Sequence, residues 1–115
     1  MKRSSFRWNM NDRALNMLGL CARAGKIVTG EKAVVQCIRS GQCVVAVLDI
    51  GTAKNGLKAV TQACQTHEVP LVTCPEGTLG QAIGRPGRMA AAVIDPGLGR
   101  RIIELCQVDG DGSPK

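Results

Sequence analysis

The run "CVVAVL", Cys43 to Leu48, limits the fold more than any other stretch of this 115-residue chain. It is continuous, rich in β-branched residues and bounded by a glycine turn before it and Asp49 after it, so it reads as a strand buried on both faces. Such a strand needs helices around it, and the flanking sequence supplies them. In "TGEKAVVQCIRSG" the residues Val34, Cys37 and Ile38 recur at helical spacing, which predicts a helix from about Gly30 to Ser40 closed by Gly41. Asn11 or Asp12 can cap an earlier helix, in which Leu15, Leu18 and Ala22 repeat before Gly25, and Lys26-Ile27-Val28 is a short strand candidate. Beyond the loop "DIGTAKN", the spacing of Leu57, Val60 and Cys64 predicts a helix from Ala53 or Asn55 to His67. "PLVTC" predicts a strand, Leu79 to Ile83 a short helix closed by Gly84, and "AAAVI" a further strand; Ile102, Ile103 and Cys106 mark a last helix after the turn Asp95-Pro96-Gly97. This alternation predicts one α/β domain over residues 11–106, with residues 1–10 as a flexible basic leader and 107–115 as a disordered tail.

Charge narrows the class of partner. The chain carries 15 Lys and Arg against 9 Asp and Glu, a formal net charge of +6, and the excess sits in two blocks. Residues 1–32 hold seven bases against two acids and residues 85–101 four against one, whereas residues 33–84 balance at three each. Two separated basic blocks that fold together make one positive face, whose commonest use is contact with nucleic-acid phosphate; a solvated basic surface is the competing reading. The only aromatic residues, Phe6 and Trp8, lie in the leader, which excludes recognition modules that stack bases on strand aromatics. Any RNA bound is read through its shape and backbone.

The six cysteines never form a C-x-x-C pair, so no zinc knuckle is expected, and each reads as a small core residue. His67 falls at a helix end, where it suits the helix dipole better than it suits catalysis. The N-terminal "MKRSSFRWN" is not followed by an apolar h-region and no apolar run is long enough for a membrane span, so a cytoplasmic protein with no membrane contact is expected. Gly30 stands out. Ser, Thr, Asn or Asp would cap a helix better, so a glycine there suggests that something approaches the backbone closely, with phosphate the natural candidate.

"TGEKAVVQCIRSG", "LGQAIG" and "AAAVIDPG" occur in the order and at the distances found in one family: the chain resembles the ribosomal proteins L-seven-Ae / L-thirty-e, and within them the stand-alone bacterial members of the YlxQ type. The resemblance covers residues 11–106. It implies a three-layer α/β/α sandwich with a short central mixed sheet of about four strands, no cofactor, and binding of kink-turn RNA, a sharply bent internal loop with an extruded nucleotide. It implies that Gly30 meets phosphate at the start of the RNA-facing helix, with Glu31 and Lys32 beside it and Lys32 where many members read a base edge through asparagine. Ala33 and Gln36 stand where strong kink-turn binders carry an acid and a base. The second contact loop, apolar in the family, reads here Arg85-Pro86-Gly87-Arg88-Met89, so phosphate attraction gains over base contact and Pro86 and Met89 remain as apolar candidates. Asp49 and Ile50 align with a third, minor edge of the surface, and Lys26 with a family basic position.

These residues lead to a non-enzymatic monomer that binds structured RNA, such as ribosomal or kink-turn RNA, and so contacts the ribosome. A ribosome-associated or protein-assembly module with weak RNA affinity is the alternative within binding proteins. A small nucleotide-binding enzyme is disfavoured: the chain has no G-x-x-x-x-G-K-[ST], no G-x-G-x-x-G at a strand-to-helix junction, and no His, Cys and carboxylate grouping that would form a nucleophile with its base.

Overall fold

The computed structural model describes residues 7–110, with side chains from Asn9 to Cys106. In chain order the elements are β1 (Arg7–Asn9), α1 (Asp12–Arg23), β2 (Ile27–Thr29), α2 (Glu31–Arg39), β3 (Val45–Asp49), α3 (Lys54–His67), β4 (Leu71–Cys74), α4 (Thr78–Ile83), β5 (Ala90–Val93) and α5 (Pro96–Gly110). The sheet order is β1-β4-β3-β5-β2, with β1, β4 and β3 parallel to one another and β5 antiparallel to both β3 and β2. β3 lies at the centre and is fully buried along its length. Its pleat divides the interior in two: Val45 and Val47 pack with α1, α4 and α5, whereas Ala46 and Leu48 pack with α2 and α3. The expected three-layer sandwich with a mixed sheet is therefore the architecture, and the fifth strand is the edge strand β1.

β1 corrects the boundary of the leader. Residues 7–9 pair in register with Leu71–Thr73, Met10 N donates to Thr73 O at 2.7 Å, and the Met10 side chain is buried in the core beneath α1. A three-residue strand with one anchoring side chain carries no readable periodicity, but it covers the open edge that β4 would otherwise present. Residues 1–6 of the expected leader lie outside the described residues. The tail is corrected too: the helical backbone of α5 continues past Cys106 to Gly110, since extending a formed helix gains one hydrogen bond per residue until a breaker intervenes, and residues 111–115 lie outside the described residues.

Local signals place the helix ends. Asn11 caps α1 by accepting from Ala14 N at 2.8 Å, and its amide reaches across to Leu105 O on α5 at 2.9 Å. Asp95 accepts from Leu98 N at 2.8 Å ahead of Pro96, the first helical residue of α5. All six cysteines are buried, three on each side of the sheet. Burial pushes the thiols of Cys21, Cys37, Cys43, Cys64 and Cys74 up, that of Cys64 to about 12, which fits core residues and not nucleophiles. His67 is the last residue of α3, as the dipole reading requires.

Candidate nucleic-acid interface

The β2–α2 junction, the β3–α3 loop and the α4–β5 loop meet at the end of the sheet where β3 and β4 finish and β5 begins. Hydrogen bonds between strand ends hold them there: Gly30 N donates to Ala90 O at 3.0 Å and Asp49 N to Met89 O at 2.9 Å. An open cleft of about 470 Å³ lies between the β2–α2 junction and the α4–β5 loop, lined by Thr29, Gly30, Glu31, Lys32 and Ala33 on one side and by Gly87, Arg88 and Met89 on the other.

Gly30 caps α2 with φ 98° and ψ 141°, a conformation that residues with a side chain rarely adopt. Its own N–H is engaged with Ala90 O, so the free donors at the helix start belong to the next residues, Glu31, Lys32 and Ala33, which by helix geometry have no intrahelical acceptor. The group that comes close to Gly30 in the structure is a side chain of the same chain. A Cβ added to Gly30 would stand 3.3 Å from Arg88 Nη1, which means that the guanidinium lies over the helix N-terminus. A cation and the positive end of a helix dipole are thus brought together, and among the described residues the one ion pair joins Arg101 and Glu104, far along α5. Among the described residues Arg88 is in no ion pair.

Arg88 is set by chain geometry. "RPGR" closes a β-turn in which Arg88 N donates to Arg85 O at 3.2 Å, Pro86 takes the second position and Gly87, with φ 91°, the third, the pattern of a type II turn. The turn rests on α4 at Gly80, where a Cβ would stand 2.8 Å from Arg85 O and 3.1 Å from Pro86 Cα. Met89 reaches the other way, its Cε 3.3 Å from the position of a Cβ on Gly51 in the β3–α3 loop.

The expected site residues separate into groups. Gly30, Glu31, Lys32, Arg88 and Met89 share the cleft, while Gln36 lies one helix turn on, in a groove between α2 and α3 that Lys32 also lines. Glu31 turns toward α3, its carboxylate lying over Gly56. Ile50 is 63% exposed at the same end of the sheet. Pro86 is exposed on the turn, and Arg85 lines a different cleft, on the α1 side of β2. Two expectations need correction. Lys26 is exposed but precedes β2, at the opposite end of that strand from Gly30, so the structure does not bring it to the cleft. Asp49 is wholly buried: Oδ1 accepts from Gly51 N at 2.8 Å, and Oδ2 from Gly77 N at 2.8 Å and Leu79 N at 3.4 Å. Its carboxylate fastens the end of β3 to the start of α4, and no surface is left for a ligand. Arg23, which lines the same cleft as Arg85, carried no sequence signal beyond its charge.

The fold thus brings Lys32 and Arg88, with Glu31 beside them, to one cleft at a helix start. Among the described residues no group of three or more His, Cys, Asp or Glu side chains is placed for a metal ion. Among them, too, no helix is long and apolar enough to cross a membrane. The chain belongs to the Ribosomal protein L7Ae/L30e/S12e/Gadd45 family, whose profile matches residues 12–102. It is 34% identical over 90 residues to the RNA-binding protein YlxQ of Bacillus subtilis (strain 168), covering 77% of this chain and 90% of that one. It is also 30% identical over 96 residues to the RNA-binding protein YlxQ of Enterococcus faecium, covering 83% and 92%. A solved structure of a protein of unknown function from Bacillus halodurans superposes with a TM-score of 0.79 at 30% identity, covering 84% of this chain and 99% of that one. The 15.5kD RNA binding protein of Giardia lamblia, at 17% identity, shares the fold with a TM-score of 0.69 over 94% of this chain and 98% of its own.

Proposed function

We propose that this chain is a non-enzymatic RNA-binding protein whose cleft at Gly30 takes the backbone of a kinked, structured RNA. The observation that carries the reading is the Arg88 guanidinium held over the N-terminus of α2 with no carboxylate partner among the described residues, an arrangement that an RNA phosphate would complete. The two YlxQ relatives are named as RNA-binding proteins, and this chain covers at least 90% of each, which supports the same class of ligand. Lys32 adds a flexible charge at the cleft, and exposed Ile50 and half-buried Met89 give apolar surface beside it, where an extruded base would rest. With Ala33 and Gln36 in place of charged residues, the interface offers more phosphate attraction than base reading, so discrimination between RNAs is modest.

Competition binding at fixed salt, with a kink-turn RNA and a straight duplex of equal length, tests this. Arg88→Gln and Lys32→Ala are expected to weaken both RNAs by comparable factors, with a modest preference for the kink-turn in the parent. Unchanged affinity in the Arg88→Gln, Lys32→Ala double variant would remove the cleft from the interface. A preference of several hundredfold for the kink-turn, abolished by Lys32→Ala, would show that Lys32 reads a base.

A further inference from the structure

The α4–β5 turn carries two arginines, and they do not serve the same cleft. Arg88 faces α2, whereas Arg85 lines a second, smaller cleft of about 190 Å³ on the α1 side of edge strand β2, together with Arg23, Gly25, Ile27, Thr29 and Ile83. Thr29 lines both, so the two clefts adjoin across a single residue of the edge strand. We propose that Arg23 and Arg85 form a second phosphate subsite, and that the bound RNA passes round the β2 edge with its backbone held on both sides of Thr29. The proposal rests on the RNA-binding reading above.

Three observations support it. The second cleft has no acidic residue in its lining, and among the described residues neither Arg23 nor Arg85 is in an ion pair. Both arginines are exposed, and hydrogen bonds fix the backbone beside each. α1 and α4 each end in the same paired-bond stop: Gly25 N donates to Ala22 O at 3.1 Å and Lys26 N to Cys21 O at 2.9 Å, while Gly84 N donates to Gln81 O at 3.3 Å and Arg85 N to Gly80 O at 2.8 Å. Two hydrogen-bonded helix ends therefore bring Arg23 and Arg85 into the lining of one cleft, together with apolar Ile27 and Ile83. A guanidinium fork suits phosphate oxygens better than a point charge does. An isolated small anion would fill one cleft only. A polyanion occupies both, and joining the second contact to the first raises affinity without any change in the first.

The competing explanation is that Arg23 merely complements the C-terminal end of the α1 dipole, being the basic residue of its last turn. Salt-dependent binding of a two-stem kink-turn RNA separates the two. If Arg23 neutralises a phosphate, Arg23→Gln lowers the slope of log affinity against log salt by about 0.7–0.9. The same contact loss weakens binding about fivefold at about 0.15 M salt. Arg85→Gln is expected to match it, Arg23→Lys to keep the slope, and thermal unfolding of Arg23→Gln to stay near that of the parent. If Arg88→Gln weakens binding but Arg23→Gln and Arg85→Gln leave slope and affinity unchanged, the second subsite does not exist and the main cleft stands. A lowered melting temperature in Arg23→Gln with an unchanged slope overturns the proposal in favour of the dipole role. If Arg88→Gln also has no effect, the RNA reading of this face fails with it.

Discussion

Replacing Gly80 by alanine tests whether the arginine turn is clamped on α4. In a solvent-facing helix the change would be favourable, because alanine is about 0.5–1 kcal/mol better than glycine in a helix interior. At Gly80 the new Cβ would stand 2.8 Å from Arg85 O, 3.1 Å from Gly87 N and 3.1 Å from Pro86 Cα. All three are backbone atoms of a turn already tied down, by Arg88 N to Arg85 O at 3.2 Å and Arg85 N to Gly80 O at 2.8 Å, so no side chain can swing aside. Overpacking of this kind costs about 1–3 kcal/mol. Setting the helix gain against the upper half of that range leaves a net loss of about 1–2 kcal/mol, and each kcal/mol lowers the melting temperature of a domain this size by about 4–8 °C. Displacing the turn also moves Arg85 and Arg88 together, so RNA affinity should fall further than in Arg88→Gln alone. Thermal unfolding by circular dichroism and an RNA titration by fluorescence anisotropy read the two effects. A Gly80→Ala protein that melts at or above the parent and binds RNA equally well refutes the clamp. Gly56→Ala is the matched control: its obstacle is the carboxylate end of Glu31, which can rotate away, so the helix gain should survive and the melting temperature hold or rise.

The remaining expectations concern Gly30, Asp49 and the buried thiols. Gly30→Ala forces a side chain into φ 98° and against Arg88, so a loss of about 1–3 kcal/mol in denaturant unfolding is expected together with weaker RNA binding; parent-like stability would show that the backbone relaxes at no cost. Asp49→Asn leaves too few acceptors for the N–H groups of Gly51, Gly77 and Leu79 and is expected to cost about 2–3 kcal/mol in the same assay, with an unchanged midpoint counting against the staple. Because burial raises the thiol pKa values above the ordinary 9.0, the folded state binds thiol protons more tightly than the unfolded chain does. That stabilisation is complete below about pH 9 and drains as the pH rises toward the folded values, near 12 for Cys64, so the melting temperature should fall steadily above pH 9 at constant salt, and a flat profile would contradict it.

What could be read from the sequence was what the chain settles within about ten residues. The run Val45–Leu48 needs only its own composition to be a central strand, and Asn11, Asp95 and the "RPGR" turn act on backbone groups no more than three residues away. Contacts that join distant segments left no such trace. Nothing near Asp49 reveals that its carboxylate meets amides at Gly77 and Leu79, so strand-end exposure was the natural reading and burial the outcome. β1 is three residues long and depends on β4, more than sixty positions away, and Glu31 looks like a surface acid until Gly56 is brought beneath it.

Gly30 shows how a local and a distant cause can share one residue. A glycine where a capping side chain would serve better pointed to a close approach, and Arg88 does approach, from a loop 58 positions away. The positive φ at the same residue is a second and independent requirement, set by the sharp exit from β2 into α2. Each demands glycine for its own reason, so loss of binding in a Gly30 variant cannot by itself be assigned to a lost phosphate contact. The arginines can be so assigned, because their guanidinium groups leave the backbone undisturbed when removed. Arg88 on one side of Thr29 and Arg23 on the other therefore carry the interpretation of this face: among the described residues neither is in an ion pair, and each can be neutralised without touching the turn or the helix ends that hold it.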